Sequence, residues 1–147
     1  MIGVLEALAT TLRTMLRPPV TVQYPKERLP LAPRFRGIPR LLWDEEKGEF
    51  ACTGCGACAR NCPVGAIRVT AQDNEAFKEG KSTRRRIVDS FQLDVGRCIC
   101  CSLCVEICPF DAIAMSHSFE FSTSSPHELV LDKERLLSLT PGDTETL

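Results

Sequence analysis

The sequence lacks an excess of charge of either sign and lacks any long apolar run. Its 147 residues carry a net charge of -1, which excludes a strongly basic nucleic-acid-binding protein on charge alone. No run of 18 uncharged apolar residues occurs, so no segment is predicted to span a bilayer. The first apolar stretch carries Glu6 and Arg13 and has no cleavage site of small residues, so we expect no signal peptide.

Motifs for substrate chemistry are also missing. The sequence has no glycine-rich nucleotide loop, no nucleophile paired with a base and no carboxylate pair in a motif. His117 and His127 do not lie at ligand spacing, and hydrogen bonding within loops is expected for both. No catalytic residue is therefore predicted, and the chain alone is expected to have no substrate site.

What the sequence does contain is nine cysteines, all between Cys52 and Cys108. An odd number cannot form a fully paired disulfide framework, and disulfides are rare in chains that are not exported. Metal ligation is the remaining explanation for cysteines clustered in this way.

Eight of these cysteines form two copies of the pattern C-x2-C-x2-C-x3-C-P, offset by 46 residues. Three cysteines at steps of three can surround one four-iron cluster, whereas the fourth lies on the next helical turn and points away. In two-cluster proteins of this spacing, the fourth cysteine binds the other cluster. We therefore predict two [4Fe–4S] clusters with crossed ligands. Cluster 1 is assigned Cys52, Cys55, Cys58 and Cys108, and cluster 2 is assigned Cys98, Cys101, Cys104 and Cys62.

Other interpretations of the cysteines are less favoured. Zinc sites usually take four ligands as two pairs, unlike two runs of four in register with a proline after each. Cys100 could compete as a ligand, although a small buried apolar residue is the preferred interpretation. Gly54 and Gly56 would let backbone amides approach cluster 1, and the second copy has bulkier residues at these positions, so the two reduction potentials are expected to differ.

The rest of the chain is predicted to form three further segments. Residues 1–17 are expected to be an amphipathic helix with one apolar face, formed by Met1, Leu5, Leu8, Leu12, Met15 and Leu16. Residues 18–50 are predicted to be an extended, proline-rich docking arm with a short strand at 20–23. Residues 117–147 are a C-terminal extension, with a strand at 129–131 and a helix capped by Asp132.

The cysteine repeat, residues 51–116, is predicted to be an α+β module with pseudo-twofold symmetry. A strand is expected to enter the second copy, and the apolar core under the clusters is predicted to consist of Val64, Ile67, Phe110 and Ile113. Arg84, Arg85 and Arg86 are expected to form a solvated or subunit-facing patch, and Arg34 and Arg36 are expected to flank a docking anchor at Phe35.

Several stretches outside the cysteine runs are similar to subunit I of NADH–quinone oxidoreductase, respiratory complex I. These stretches are VTVQYPKER at 20–28, PRFRG at 33–37, RRR at 84–86, D-x-G-x-C at 94–98 and FEFSTSSPHEL at 119–129. The resemblance covers roughly residues 1–131 and implies a bacterial-ferredoxin-like fold with two [4Fe–4S] clusters held by the eight cysteines assigned above.

The resemblance also implies a function and a location. The chain would be a subunit of a proton-translocating oxidoreductase, relaying electrons through both clusters toward a terminal cluster and quinone. It would dock in the hydrophilic arm, lie peripherally at the cytoplasmic face of the cell membrane and place the helix of residues 1–17 at the membrane arm. The equivalent subunit of a membrane-bound hydrogenase or of a ferredoxin-dependent complex is the alternative. A free ferredoxin is disfavoured because it needs only the compact repeat.

Overall fold

A computed structural model describes residues 2–139 of the chain. The chain divides into two compact units, Met1–Leu31 and Ala32–Leu147. Among the described residues, no helix has the length and apolar character needed to cross a membrane.

The first unit is dominated by helix α1, Ile2–Met15. The helix ends shortly before Pro18 and Pro19, neither of which can supply a backbone N–H. Its apolar side chains are solvent-exposed, with Leu5 at 67% and Leu12 at 55% of their full accessible surface. An amphipathic helix is therefore present where the apolar spacing predicted it.

The strand predicted at residues 20–23 is not formed. The backbone carbonyl of Gln23 accepts a hydrogen bond from the amide of Glu27 (2.9 Å), which closes a turn. The side-chain amide of Gln23 donates to Thr21. These local hydrogen bonds take up groups that a strand would offer to a neighbour.

The second unit has the predicted α+β composition. Its elements are β1 (Pro39–Leu41), β2 (Trp43–Asp44), β3 (Glu49–Phe50), α2 (Ala57–Asn61), β4 (Ile67–Asp73), α3 (Glu75–Lys78), β5 (Arg86–Asp94), α4 (Leu103–Glu106), β6 (Ile113–Met115), a 3-10 turn (Pro126–Leu129), β7 (Val130–Leu131) and α5 (Lys133–Ser138). Three small antiparallel sheets pair β1 with β6, β2 with β3, and β5 with both β4 and β7.

The segment predicted as the second half of the docking arm belongs to this unit and contains β1, β2 and β3. Strand β1 pairs with β6, so that Arg40 lies opposite Ala114. The amide of Gly37 donates to Ser116 (2.9 Å), and a Cβ atom at Gly37 would lie 2.4 Å from the carbonyl oxygen of Ser118. Only a residue without a side chain allows the backbone to approach the chain after β6 so closely. The segment is therefore part of the folded module.

The core lies between the two cysteine copies and the sheets. Ile67 and Ile113 are buried, as predicted, at 7% and 4% exposure. Val64 and Phe110, also predicted as core, are instead 36% and 47% exposed. They follow Pro63 and Pro109 in the loops before β4 and β6, which places them at the surface rather than beneath the repeat.

Sequence predictions for the C-terminal half are confirmed where the structure describes it. The strand expected before the second copy is β5, and β7 pairs with it through Leu131 and Leu93. Asp132 caps α5 by accepting a hydrogen bond from the amide of Arg135 (2.9 Å). Residues 140–147 of the predicted extension lie outside the described residues.

A buried polar network joins the β2–β3 hairpin to the segment before β5. Glu49, only 7% exposed, accepts hydrogen bonds from Asn74 (2.8 Å), Ser82 (2.7 Å) and Arg84 (3.2 Å). Arg84 also donates to Asp44 (2.7 Å). Burial disfavours the charged form of Glu49, but the hydrogen bonds outweigh it and hold the pKa of this carboxyl below its ordinary value.

Arg84 therefore differs from the patch residue that the sequence predicted. Its side chain is 17% exposed and forms ion pairs with Asp44 and Glu49, whereas Arg85 and Arg86 are exposed. The arginine triplet alone does not indicate that Arg84 is the residue whose side chain forms buried ion pairs. Its two acidic partners lie 35 and 40 positions earlier in the sequence.

Candidate iron–sulfur centre

Both cysteine copies form the same kind of loop. Gly54 and Gly56 in the first copy have φ values of 69° and 73°, and the equivalent Cys100 and Ser102 in the second have 52° and 68°. This left-handed conformation costs a non-glycine residue about 1–2 kcal/mol. The second copy keeps the conformation despite that cost, which indicates that the path of the loop around its cysteines matters.

Backbone amides point at several of the sulfur atoms. Gly54 donates to Cys52 Sγ (3.4 Å), Ala66 to Cys62 Sγ (3.3 Å) and Ala112 to Cys108 Sγ (3.4 Å). The last two bonds are equivalent in the two copies. Amide donors of this kind stabilise the thiolate form and tune a cluster held by it.

Two cavities separate the eight predicted ligands into two sets of four. The lining of one cavity includes Cys52, Cys55, Cys58 and Cys108. The lining of the other includes Cys62, Cys98, Cys101 and Cys104. Each cavity thus combines three cysteines of one copy with the fourth cysteine of the other, which is the arrangement that the spacing predicted. Within residues 2–139, no group of three or more His, Cys, Asp or Glu side chains is arranged to hold a single metal ion.

Burial makes these thiols poor acids in the absence of a bound cation. Desolvation raises the pKa of Cys58 to about 11, of Cys98 to about 11 and of Cys104 to about 12. The negative charges of Cys58 and Cys104 also repel each other. A positively charged iron core would supply the compensation that four such thiolates need.

The two cavities differ in their rims. Cys55 is exposed and lies beside Thr53, Gly56 and Ala57 at the mouth of the first cavity. Cys101 is half-buried, and the second cavity is bordered by the apolar side chains of Val64, Ile99 and Leu103. The first cavity is also lined by apolar side chains, those of Val69, Phe110 and Ile113. The expectation of unequal reduction potentials therefore stays a prediction.

Cys100 borders neither cavity. It is half-buried, and, after desolvation, its proximity contributes to the raised pKa of Cys98. It is therefore a neighbour of the predicted ligands and lies outside both sets of four.

We expect the Cys100→Ala variant to retain about eight iron atoms per chain, the content of two four-iron clusters. The reason is that alanine removes a thiol that faces neither cavity and keeps a small apolar side chain. Iron and acid-labile sulfide should be quantified on the purified variant beside the unsubstituted chain. Roughly half the iron would show that Cys100 is a ligand after all.

The two histidines line neither cysteine cavity. His117 packs edge-to-face against Phe35, with ring centroids 6.1 Å apart, and Phe35 also contacts Phe119. His127 is in the exposed 3-10 turn. Neither histidine borders the two cavities, in keeping with the absence of ligand spacing.

Sequence reasoning missed two arginines that contact the cysteine loops. Arg60 Nη1 donates to the carbonyl of Cys55 (3.1 Å), and Arg36 Nη1 donates to the carbonyl of Cys101 (3.2 Å). Arg36 was predicted only as part of a docking anchor. Arg60 lies five residues after Cys55, which is not a helical spacing, so no local sequence signal identifies this contact.

Comparison with known proteins gives matches over most of the chain. Residues 51–112 match the family model described as a 4Fe-4S dicluster domain. A protein of Geobacter metallireducens named NADH-quinone oxidoreductase subunit I 2 is 35% identical over 90% of the chain and 95% of the relative. A Symbiobacterium thermophilum protein of the same name is 39% identical over 93% of the chain, which spans only 55% of that relative's length.

A solved structure is also similar. One chain of a membrane-bound sulfane sulfur reductase, described as an archaeal respiratory membrane complex, aligns with a TM-score of 0.52 and 28% identity. The alignment covers 79% of the present chain and 53% of that chain. The shared fold therefore extends beyond residues 51–112.

Proposed function

Because this chain belongs to the subunit I family of NADH–quinone oxidoreductases, we propose that it is an electron-transfer subunit of a complex I-type assembly. It relays single electrons through two [4Fe–4S] clusters toward a terminal cluster and quinone. The observation that most directly supports this function is that eight cysteines of a dicluster domain line two cavities, four at each. The chain itself contributes no catalytic residue and acts as one part of an oxidoreductase.

The eight cysteines are proposed as ligands in the crossed sets given above. When bound, each cluster supplies a site that accepts and releases one electron. Helices α2 and α4, which carry Cys58 and Cys104, contact each other, and the charges of these two thiolates interact. This proximity favours a short route between the two sites. Buried Ala66 and Ala112 exclude water beside the fourth cysteine of each copy.

Membrane association is proposed to depend on α1. The helix exposes an apolar face, and Arg13 lies in its last turn with Arg17 just beyond. Each basic residue near an anionic leaflet contributes about 1 kcal/mol, and each buried large apolar side chain contributes about 1.5–3 kcal/mol. These magnitudes support peripheral attachment to lipid or to a membrane subunit. The cytoplasmic face is proposed from the resemblance to subunit I alone.

Deletion of residues 1–17 should leave both clusters intact and reduce co-purification with the membrane fraction or the assembled complex. The reason is that α1 belongs to a different compact unit from the cysteine module. Iron content and the membrane-bound fraction should be measured together. Unchanged co-purification would show that the helix has no docking role, and lost clusters would show that the cysteine module depends on it.

A second candidate is the equivalent subunit of a related membrane-bound complex with a different donor and acceptor. The similarity to a chain of the sulfane sulfur reductase favours it, because the same cysteine module can serve several redox partners. A hydrogenase or a ferredoxin-dependent complex belongs to this alternative.

Purification of the native assembly through this chain tests the function and separates the two candidates. The assembly should be assayed with NADH, reduced ferredoxin and hydrogen as donors and with quinone as acceptor. Quinone reduction by NADH would support the first candidate, and activity only with another donor would support the second. A chain that purifies alone, with clusters and without partners, would contradict both and point to a free carrier.

A further inference from the structure

In each cysteine loop, an arginine guanidinium is hydrogen-bonded to the backbone carbonyl of the second cysteine. Arg60 Nη1 donates to the carbonyl oxygen of Cys55 (3.1 Å), and Arg36 Nη1 donates to that of Cys101 (3.2 Å). Cys55 and Cys101 are equivalent residues, each being the second cysteine of its copy. A guanidinium group thus contacts the backbone at matching places in the two cysteine loops, and both arginine side chains are exposed.

The two arginines come from unrelated positions. Arg60 lies in α2, and its counterpart in the second copy is Glu106, whose carboxylate accepts a hydrogen bond from Ser102 (3.0 Å). Arg36 lies in the segment before β1, far from the second copy in sequence. Repeat symmetry therefore cannot account for the two contacts. In the second copy, a distant residue provides the cation where the local position carries an anion.

We propose that Arg60 and Arg36 are charge-compensating residues, one for each cluster, that raise the reduction potential of the cluster beside them. The inference rests on the proposed function, because it requires both clusters to accept electrons. Reduction adds one electron from the upstream donor and therefore one negative charge to the cluster. A guanidinium stays positively charged at every relevant pH and attracts the reduced state more strongly than the oxidised state.

The contact that Arg36 makes depends on a segment that is hydrogen-bonded to the chain after β6. Arg36 is next to Gly37, which is hydrogen-bonded to Ser116, and Ile38 is hydrogen-bonded to Ser118. The position of the Arg36 side chain therefore depends on how this segment lies along the chain after β6.

The test uses the full chain with its clusters and the variants Arg60→Gln and Arg36→Gln. Redox titrations followed by EPR give the potential of each cluster, and the Cys62→Ala variant assigns the two signals. Arg60→Gln should raise the oxidised-to-reduced ratio of cluster 1 by about three- to tenfold at a fixed applied potential, and Arg36→Gln should do so for cluster 2. Tenfold corresponds to about 59 mV for a one-electron couple.

Two sets of controls separate charge from structure. Arg135 also donates from Nη1 to a backbone carbonyl, that of Glu128 (3.4 Å), away from the cysteines, so Arg135→Gln should shift neither potential. Arg60→Lys and Arg36→Lys keep the positive charge. In these variants, the reduction potential of each cluster should stay close to its value in the unsubstituted chain. If a glutamine variant loses its cluster, retention in the lysine variant supports the proposal.

Three results would overturn the inference. They are unchanged potentials in both glutamine variants, equal shifts of both clusters in either variant, and loss of a cluster in the glutamine and lysine variants alike. The absence of any [4Fe–4S] signal in the unsubstituted chain is a different result, since it would contradict the proposed function itself.

Discussion

Cys62→Ala should remove the cluster bound by Cys98, Cys101 and Cys104 and should leave the other one in place. Iron content should fall from about eight atoms per chain to about four, because a four-iron cluster without one thiolate ligand is poorly retained. The physical reason is that Cys62 lines the cavity of the second copy although it belongs to the first. Iron and sulfide analysis with EPR would measure the loss.

The reciprocal variant is the matched control for this prediction. Cys108→Ala should remove the cluster bound by Cys52, Cys55 and Cys58, since Cys108 lines the first cavity. The two variants should therefore retain different EPR signals with the same iron content. The crossed ligation would be contradicted if Cys62→Ala instead removed the cluster of the first copy, or if Cys108→Ala removed the cluster of the second copy.

Glu49→Ala should lower the stability of the module by about 2–4 kcal/mol. Removal of this carboxylate deprives buried Asn74 and Ser82 of a charged acceptor and leaves Arg84 with Asp44 and the carbonyl of Phe50. For a chain of this size, the loss corresponds to a decrease in thermal midpoint of roughly 6–12 °C. Thermal unfolding at a fixed scan rate, followed by loss of cluster absorbance, would measure it.

The effect of Glu49 should also depend on pH. Its pKa is lowered in the folded state, so the carboxylate stabilises the fold above the ordinary pKa of glutamate. That contribution should be lost as the pH falls through the lower folded pKa. The difference in midpoint between the chain and Glu49→Ala should therefore shrink in acid.

An exposed ion pair provides the control for Glu49. Lys81 and Glu79 are 2.7 Å apart, but their side chains are 75% and 59% exposed. Lys81→Ala should change stability by about 0–1 kcal/mol. A loss as large as that of Glu49→Ala would show that general charge effects, rather than the buried network, determine the stability.

The features that the sequence predicted well depend on local or repeated patterns. The cysteine spacing predicted how eight residues divide between two cavities, because a step of three or four fixes which way a side chain points. Ile67 and Ile113 hold equivalent places in the two copies and are both buried. Asp132 was recognisable as a helix cap because a cap and its helix are adjacent in sequence.

The features that it missed depend on distant partners. No local pattern predicts the strand Pro39–Leu41. It forms by pairing with β6, which lies more than 70 positions later in the sequence. Arg84 reads as a surface residue until Asp44 and Glu49 are brought beside it. Val64 and Phe110 were misplaced for another reason, since apolar character does not reveal which side of a loop faces the interior.

The pairing of β1 with β6 bears on how the chain is made. At about 5–20 residues per second, roughly 4–15 s of synthesis separate the appearance of the two strands. During that time, Ile38 and Leu41, which are 2% and 0% exposed in the finished fold, cannot yet pack against β6 and the chain after it. This side of the module therefore closes only after every cysteine has been synthesised, and β7 and α5 follow later in the chain.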